Sequence, residues 1–332
     1  MKNKAILMMA ACAIMMILAG YAKQENFPVL KGPYLGQKPP GNTAEIFAPG
    51  IASTEHSEFC SVFSPDENEF YWSISGAPYP VIVVMRQNKN RWTEPEIVSF
   101  SGKYLDFDMS ISPDGKRLFF CSRRPLDGNG PPTDNTDFWF AEREGGEWSE
   151  PKHLEGPVNS MGQEYYPIFV KNGSLYFSST RPGGFGGGDI YRALFEEGVF
   201  LEPENLGSAI NTENFEGDLF IAGDESYIIV TCYGRPDSFG SGDLYISFRR
   251  EDDTWSLMKN MGATVNTPAN EHCPILSPDG KYLFFSSGRN RHPDYSKEAI
   301  TLKEKLEMMN SWGNGRSEDI YWIDADIIDA LK

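Results

Sequence analysis

The chain has 332 residues, 40% of them hydrophobic and 13% aromatic, with a formal net charge of −17. A single domain of that length buries roughly three-quarters of the surface its unfolded chain exposes. The charge argues against binding a phosphate backbone, which needs stripes of Lys and Arg, and against anionic membrane surfaces. Its first effect is solubility.

Residues 1–22 have the pattern of a secretory signal. Lys2 and Lys4 make a basic start, Ala5 to Gly20 is apolar but short for a membrane span, and Gly20-Tyr21-Ala22 suits cleavage before Lys23. Leu18-Ala19-Gly20 would begin a lipobox if Cys followed, but Tyr21 stands there. Export without a lipid anchor is therefore expected, to the periplasm or envelope, with no transmembrane segment in the mature chain. Residues 23–44 form a lead-in rich in Pro and Gly that lacks strand periodicity, and it is expected to run over the surface.

From residue 45 to 332 the sequence repeats. Five times an acid is followed six residues later by a tight turn: Glu58, Asp106, Glu164, Glu216 and Glu271 precede turns at Ser64, Ser112, Val170, Ala222 and Ser277. The turns read SPDE, SPDG, VKNG, AGDE and SPDG. Pro presets φ and Gly takes positive φ, so each unit opens with a β-hairpin. A second strand follows, as in LFFCS, LYFSS and LFFSS, and then an Asp-led third strand: DFWF at 137, DIYRA at 189, DLYIS at 243 and DIYWI at 319. Leu154–Ser160, Leu206–Thr212 and Met261–Thr267 are expected to be the fourth strands. Four short strands in units of roughly 50 residues are the pattern of propeller blades.

The last unit lacks a fourth strand, whereas Phe47 to Ser53 (FAPGIAS) matches one with no blade before it. The expected fold is all-β: one β-propeller of five four-stranded blades, with the N-terminal strand closing the last. Six blades result if the lead-in adds strand. Residues 290–318 interrupt the last blade, and Ala299, Leu302, Leu306 and Met309 share one helical face there, so a helical insertion is expected.

The core SPDGKYLFFSSGR and the turn RPGGFGGGDIY resemble the TolB-type, WD-repeat-like β-propeller repeats of bacterial envelope proteins. The resemblance covers residues 45 to 324 and implies rigid scaffolding that docks envelope protein partners. It says little of activity, since one fold hosts many functions.

Arg124, Arg181, Arg235 and Arg289 end second strands beside the acids, so Asp106, Glu164, Glu216 and Glu271 are expected to form a structural acid–Arg ring. Asp137, Asp189, Asp243 and Asp319 start the third strands at the same end and are expected to join these pairs. The departures from the repeat are the functional candidates. Ser75 replaces Arg opposite Glu58. His56, Glu58, Glu271, His272, Arg289 and His292 fall at the closure seam or in the insertion beside it, and form a candidate ligand-binding set. No catalytic residue and no cofactor motif is evident; the one cofactor the set suggests is a divalent cation at the seam. Cys60 and Cys273 occupy equivalent positions in blades that adjoin at closure and could pair as a disulfide in an oxidising compartment, if neighbouring inner strands come close enough for its geometry. The glycines of 183–188 suit a turn of positive φ.

Two functions follow. One is a non-catalytic envelope scaffold that binds a protein partner, or a small-molecule or glycan ligand, with its loop-decorated face. The other is a propeller enzyme acting on a carbohydrate through top-face carboxylates. Nucleic acid is excluded as a partner by charge.

Overall fold

The computed structural model describes residues 27–289, 301 and 318–332. Its strands form five successive antiparallel sheets that each run outward from an innermost strand. The innermost strands are Ser57–Phe63, Asp106–Ile111, Glu164–Phe169, Glu216–Ile221 and Glu271–Leu276. Each packs on the next, and the fifth packs on the first, so the ring is closed. The chain is a five-bladed β-propeller.

The hairpin turns follow from their sequence. Where the turn reads S-P-D, the Ser hydroxyl donates to the Asp two residues on, at 2.6–2.7 Å in Ser64, Ser112 and Ser277. The same hydroxyl oxygen accepts the backbone N–H five residues on, at 2.9–3.0 Å. The turn is thereby held before the second strand begins. Side chains alternate along that strand: Phe120 enters one inter-blade core and Phe119 the next.

The fifth sheet runs Glu271–Leu276, Tyr282–Ser287, Asp319–Asp324 and Glu45–Ile46, so the N-terminal strand supplies the outermost position as expected. Glu45 pairs with Trp322 and Ile46 with Tyr321. Phe47 N–H continues the ladder to Ile320 O at 2.8 Å. The lead-in is more than a surface strap. Tyr34 and Leu35 are buried, Tyr34 lies against Tyr282 and Trp322 of blade five, and Gly32 O accepts from Trp92 Nε1 and Gln87 Nε2 of blade one, both at 2.8 Å. It bridges the seam.

The fourth strands are shorter and earlier than expected. In blades two to four they are Lys152–His153, Glu204–Asn205 and Lys259–Asn260. The segments LEGPVNS, LGSAINT and MGATVNT are loops beyond them. There an Asn side chain does a strand's work: Asn159, Asn211 and Asn266 accept the N–H of Phe138, Ile190 and Leu244 at 2.7–2.8 Å. Ser53 does the same for Ile320 at 3.0 Å. The apolar residues of these loops mark burial between blades, which periodicity alone does not separate from strand.

The expected helical insertion at 290–318, with His292, lies outside the described residues apart from Thr301 and Glu318. A one-turn helix, Asp326–Asp329, follows the last strand.

Candidate functional site

The five repeated acids are fully buried and stand in hydrogen-bonded clamps at the starts of the innermost strands. Asp106 accepts from Ser122 Oγ and Arg124 Nη2, both at 2.7 Å. Glu164 accepts from Ser160 Oγ, Ser179 Oγ and Arg181 Nη2 at 2.5, 3.0 and 3.4 Å. Glu216 takes Thr212 N and Oγ1, both at 2.8 Å, and Arg235 Nη2 at 3.2 Å. Glu271 takes Thr267 Oγ1, Ser287 Oγ and Arg289 Nη2 at 2.7, 2.6 and 3.4 Å. Three of the arginines also donate to carbonyls of the preceding loop: Arg181 to Val158, Arg235 to Ile210 and Arg289 to Val265. Each of these clamps therefore ties two blades together. Asp189 and Asp243 lie apart from the clamps and accept N–H groups of their own Gly-rich loops. Within 183–188 only Gly183 has positive φ; a Cβ on Gly186 would sit 2.2 Å from Asn214 O, so close backbone approach explains that glycine.

Glu58 is the exception. It accepts from Thr54 N at 3.1 Å and Thr54 Oγ1 at 2.5 Å, and no Arg pairs with it among the described residues. A Gln there keeps an acceptor for the N–H and offers a donor to the hydroxyl. Glu58→Gln is therefore expected to change stability by less than about 1 kcal/mol. Glu164→Gln, which unbalances Arg181, is expected to cost about 2 kcal/mol or more. Paired urea melts of the two variants check this.

The channel end of the ring holds a different set of residues. Every innermost strand slips register just after its acid. At the slip Cys60, Asp108, Tyr166 and Cys273 take φ of 48°, 49°, 57° and 54°. A left-handed non-Gly residue costs on the order of 1 kcal/mol or more, and such bulges re-aim side chains. They bring neighbouring side chains of the strand toward the channel. The result is a cup of about 320 Å³. Phe59, Phe107, Tyr165 and Phe215 form an aromatic collar; Asp108, Asp218, His272 and Cys273 also line the cup. In blade four Gly217 stands next to the acid, and a Cβ on it would lie 2.8 Å from the Phe215 ring. The missing side chain makes room for that ring.

His272 is held from both sides. Its Nδ1 lies 3.1 Å from Asp218 Oδ2 and its Nε2 3.0 Å from Glu318 Oε2. Burial alone would lower its pKa, but the Glu318 and Asp218 carboxylates outweigh it and hold the imidazole well above its ordinary value. The same contact holds Glu318 below the usual range against the effect of burial. Cys273 Sγ is 3.1 Å from His272 Nδ1 and 3.4 Å from Asp218 Oδ2. Burial, then the Cys60 and Asp218 side chains, push that thiol well up, so it lacks the thiolate character of a nucleophile.

Two groups of donor atoms lie within 4.8 Å of one another: Cys60, Asp108 and Cys273, and Asp218, His272 and Cys273. They are a potential divalent-cation cluster. Of the seam residues expected from sequence, His272 reaches the cup, while Glu58, Glu271 and Arg289 stand in clamps. His56 lies on the loop before blade one, with its N–H on Thr54 Oγ1 at 3.1 Å. The sulfurs of Cys60 and Cys273 lie within 4.8 Å of each other, and both residues are free thiols in this structure. Their sulfurs are not at the roughly 2.05 Å of a disulfide bond.

Asp108, Asp218, Glu318 and the collar were not singled out by sequence reasoning. A signal was present: two residues after each acid the chain reads Cys60, Asp108, Tyr166, Asp218 and Cys273. That column holds two Cys and two Asp, side chains that can ligate or carry charge.

No family model matches the chain, and no curated protein matches it. Solved structures do. An α-L-arabinofuranosidase from Lactobacillus brevis is 12% identical, with a TM-score of 0.50 over 80% of this chain and 90% of that one. A putative TolB from Agrobacterium tumefaciens is 16% identical, with a TM-score of 0.47 over 70% of each chain. TolB from Acinetobacter baumannii is 15% identical, with a TM-score of 0.46 over 81% of this chain and 57% of that one. At these identities the likeness is one of fold. Among the described residues no helix is long and apolar enough to cross a membrane.

Proposed function

We propose that the protein is an exported binding propeller that takes a compact organic cation into the channel cup. The cation is the ammonium group of a small ligand or of a Lys side chain on an envelope partner. The observation that carries this reading is the cup itself, an aromatic collar with the buried carboxylate of Asp108 and the partly exposed carboxylate of Asp218 within it. Aromatic faces attract ammonium groups by about 0.5–2 kcal/mol each, most when water is excluded. The volume suits a small ligand or one side chain. The chain's charge of −17 would draw cations toward it. The clamps give the rigidity that makes such a site selective, since little ordering remains to be done on binding. The N-terminal signal pattern supports export.

The test is calorimetric titration with choline, a diamine, a Lys-rich peptide, a Glu-rich peptide and a neutral sugar. The ammonium compounds are expected to bind, and Phe107→Ala is expected to weaken them about tenfold, equivalent to about 1.4 kcal/mol. Tight binding of the peptide alone would point to a protein partner, and of choline or the diamine to a small ligand. Binding of the sugar with no binding of amines would overturn the reading in favour of a carbohydrate site.

A further inference from the structure

We propose that Cys60, Cys273 and Asp108 are the ligands of a thiophilic divalent cation, of which Zn²⁺ is the type, at the base of the cup. The proposal shares the cup with the ammonium reading but does not rest on the ligand class assigned there.

The three residues come from blades one, five and two and hold the same position in each repeat. Each is a non-Gly residue in the left-handed region, with φ of 48°, 54° and 49°. Tyr166 at the same position of blade three shares this conformation, φ 57°, so it belongs to the repeated bulge, which places the three residues alike in their blades. Their donor atoms lie within 4.8 Å of one another. Tetrahedral Zn²⁺ has bonds of about 2.3 Å to sulfur and about 2.0–2.2 Å to oxygen, which spaces its ligands at roughly 3.5–3.8 Å. Side-chain rotation of less than about 1 Å at each donor closes the difference.

A second observation is independent of this convergence. Asp108 is only 5% exposed, its side chain lines the cup, and no hydrogen bond or ion pair to its carboxylate occurs among the described residues, although its oxygens are not among the fully buried unpartnered atoms. The repeated acids two residues earlier in each unit all have two or more hydrogen bonds. A buried carboxylate is normally hydrogen-bonded, paired or bound to metal. A cation between the two sulfurs would supply its partner.

The donor chemistry selects the ion. Two sulfurs and one carboxylate suit Zn²⁺ and its neighbours and disfavour Ca²⁺ and Mg²⁺, which take oxygen ligands. Each thiol releases its proton to solvent as its metal–sulfur bond forms, and no electron is transferred. The Asp218–His272 pair borders the set through Cys273 and orients it. With Asp108 and Cys273 on the cup lining, a bound cation is reachable from the mouth.

The test uses the full chain, reduced and stripped with a chelator, titrated with Co²⁺ as a spectroscopic stand-in for Zn²⁺ and with Mg²⁺ as control. One equivalent of Co²⁺ is expected to bind with a sulfur-to-cobalt charge-transfer band, Zn²⁺ is expected to displace it, and Mg²⁺ is expected to have no effect. Cys60→Ser and Cys273→Ser are expected to abolish the band. Asp108→Asn is expected to weaken binding by more than the roughly 10–100-fold typical of an outer-shell change. Circular dichroism of each variant checks folding, and the wild-type titration stands without them. Co²⁺ bound without a sulfur band, a band that survives Cys60→Ser, or a linked Cys60–Cys273 peptide in the unreduced protein would overturn the proposal. Choline binding is measured separately on the stripped wild type, so failure of the metal site and failure of the ammonium reading are told apart.

Discussion

Phe47→Ala is expected to cost about 3–5 kcal/mol of folding stability, the range for deleting a buried aromatic side chain. Phe47 follows the two-residue closing strand and is fully buried. Its ring packs against Phe70, Phe284 and Trp322 at 5.1 Å between centroids and against Phe63 at 6.1 Å. Those rings belong to blades one and five, so the side chain fills the joint where the propeller closes. Two residue pairs, one further Phe47–Ile320 hydrogen bond and the Ser53 side chain are a short hold on the ladder for the N-terminus. Packing therefore has to do what hydrogen bonds cannot. The expected result is a lower urea midpoint together with new protease cleavage near residues 45–55. Cleavage there matters because opening the ring exposes two sheet edges. A loss below about 1 kcal/mol would mean that the lead-in, with Tyr34 across the same seam, carries closure instead.

Arg124→Met is expected to cost about 3–5 kcal/mol, because it leaves the fully buried Asp106 carboxylate without its countercharge. Arg124 is the most buried of the clamp arginines and stacks over Phe120 at 5.1 Å and Trp139 at 5.4 Å. Met keeps much of that apolar packing, so the loss reports the charge. Adding Asp106→Asn removes the stranded charge and leaves an acceptor for Ser122. The double variant is expected to recover more than about 1 kcal/mol, as groups in one buried network do not add independently. Chemical denaturation of the two single variants and the double closes the cycle. Strict additivity would show that Arg124 acts by packing alone.

The fold was legible because the features that make it are local and repeated. The tight turn (S-P-D in three units), the alternating second strand and the acid six residues before each turn are short-range patterns, and five units reinforce one another. Closure was legible too, from a fourth-strand match with no blade before it. The fourth strands were misplaced because Asn159, Asn211 and Asn266 replace backbone pairing with side-chain pairing, which no hydrophobic period records. For the site, attention went to residues beside the repeated acids, and only His272 and the Cys60–Cys273 meeting survived as parts of the cup. Asp108 and Asp218 were passed over because strand alternation assigns one face to each residue, and a bulge breaks that assignment. Glu318 is distant in sequence and reaches His272 only through the closing blade.

The central claim is that function resides in the cup and that the repeated clamps are scaffold. The most direct measurement is calorimetric titration of the tightest-binding amine into wild type, Asp218→Asn and Glu58→Gln. Asp218→Asn is expected to weaken binding about tenfold or more through loss of a partly buried charge, while Glu58→Gln leaves it unchanged. Equal affinity in wild type and Asp218→Asn, or a loss confined to Glu58→Gln, would contradict the claim and return the search to the clamps.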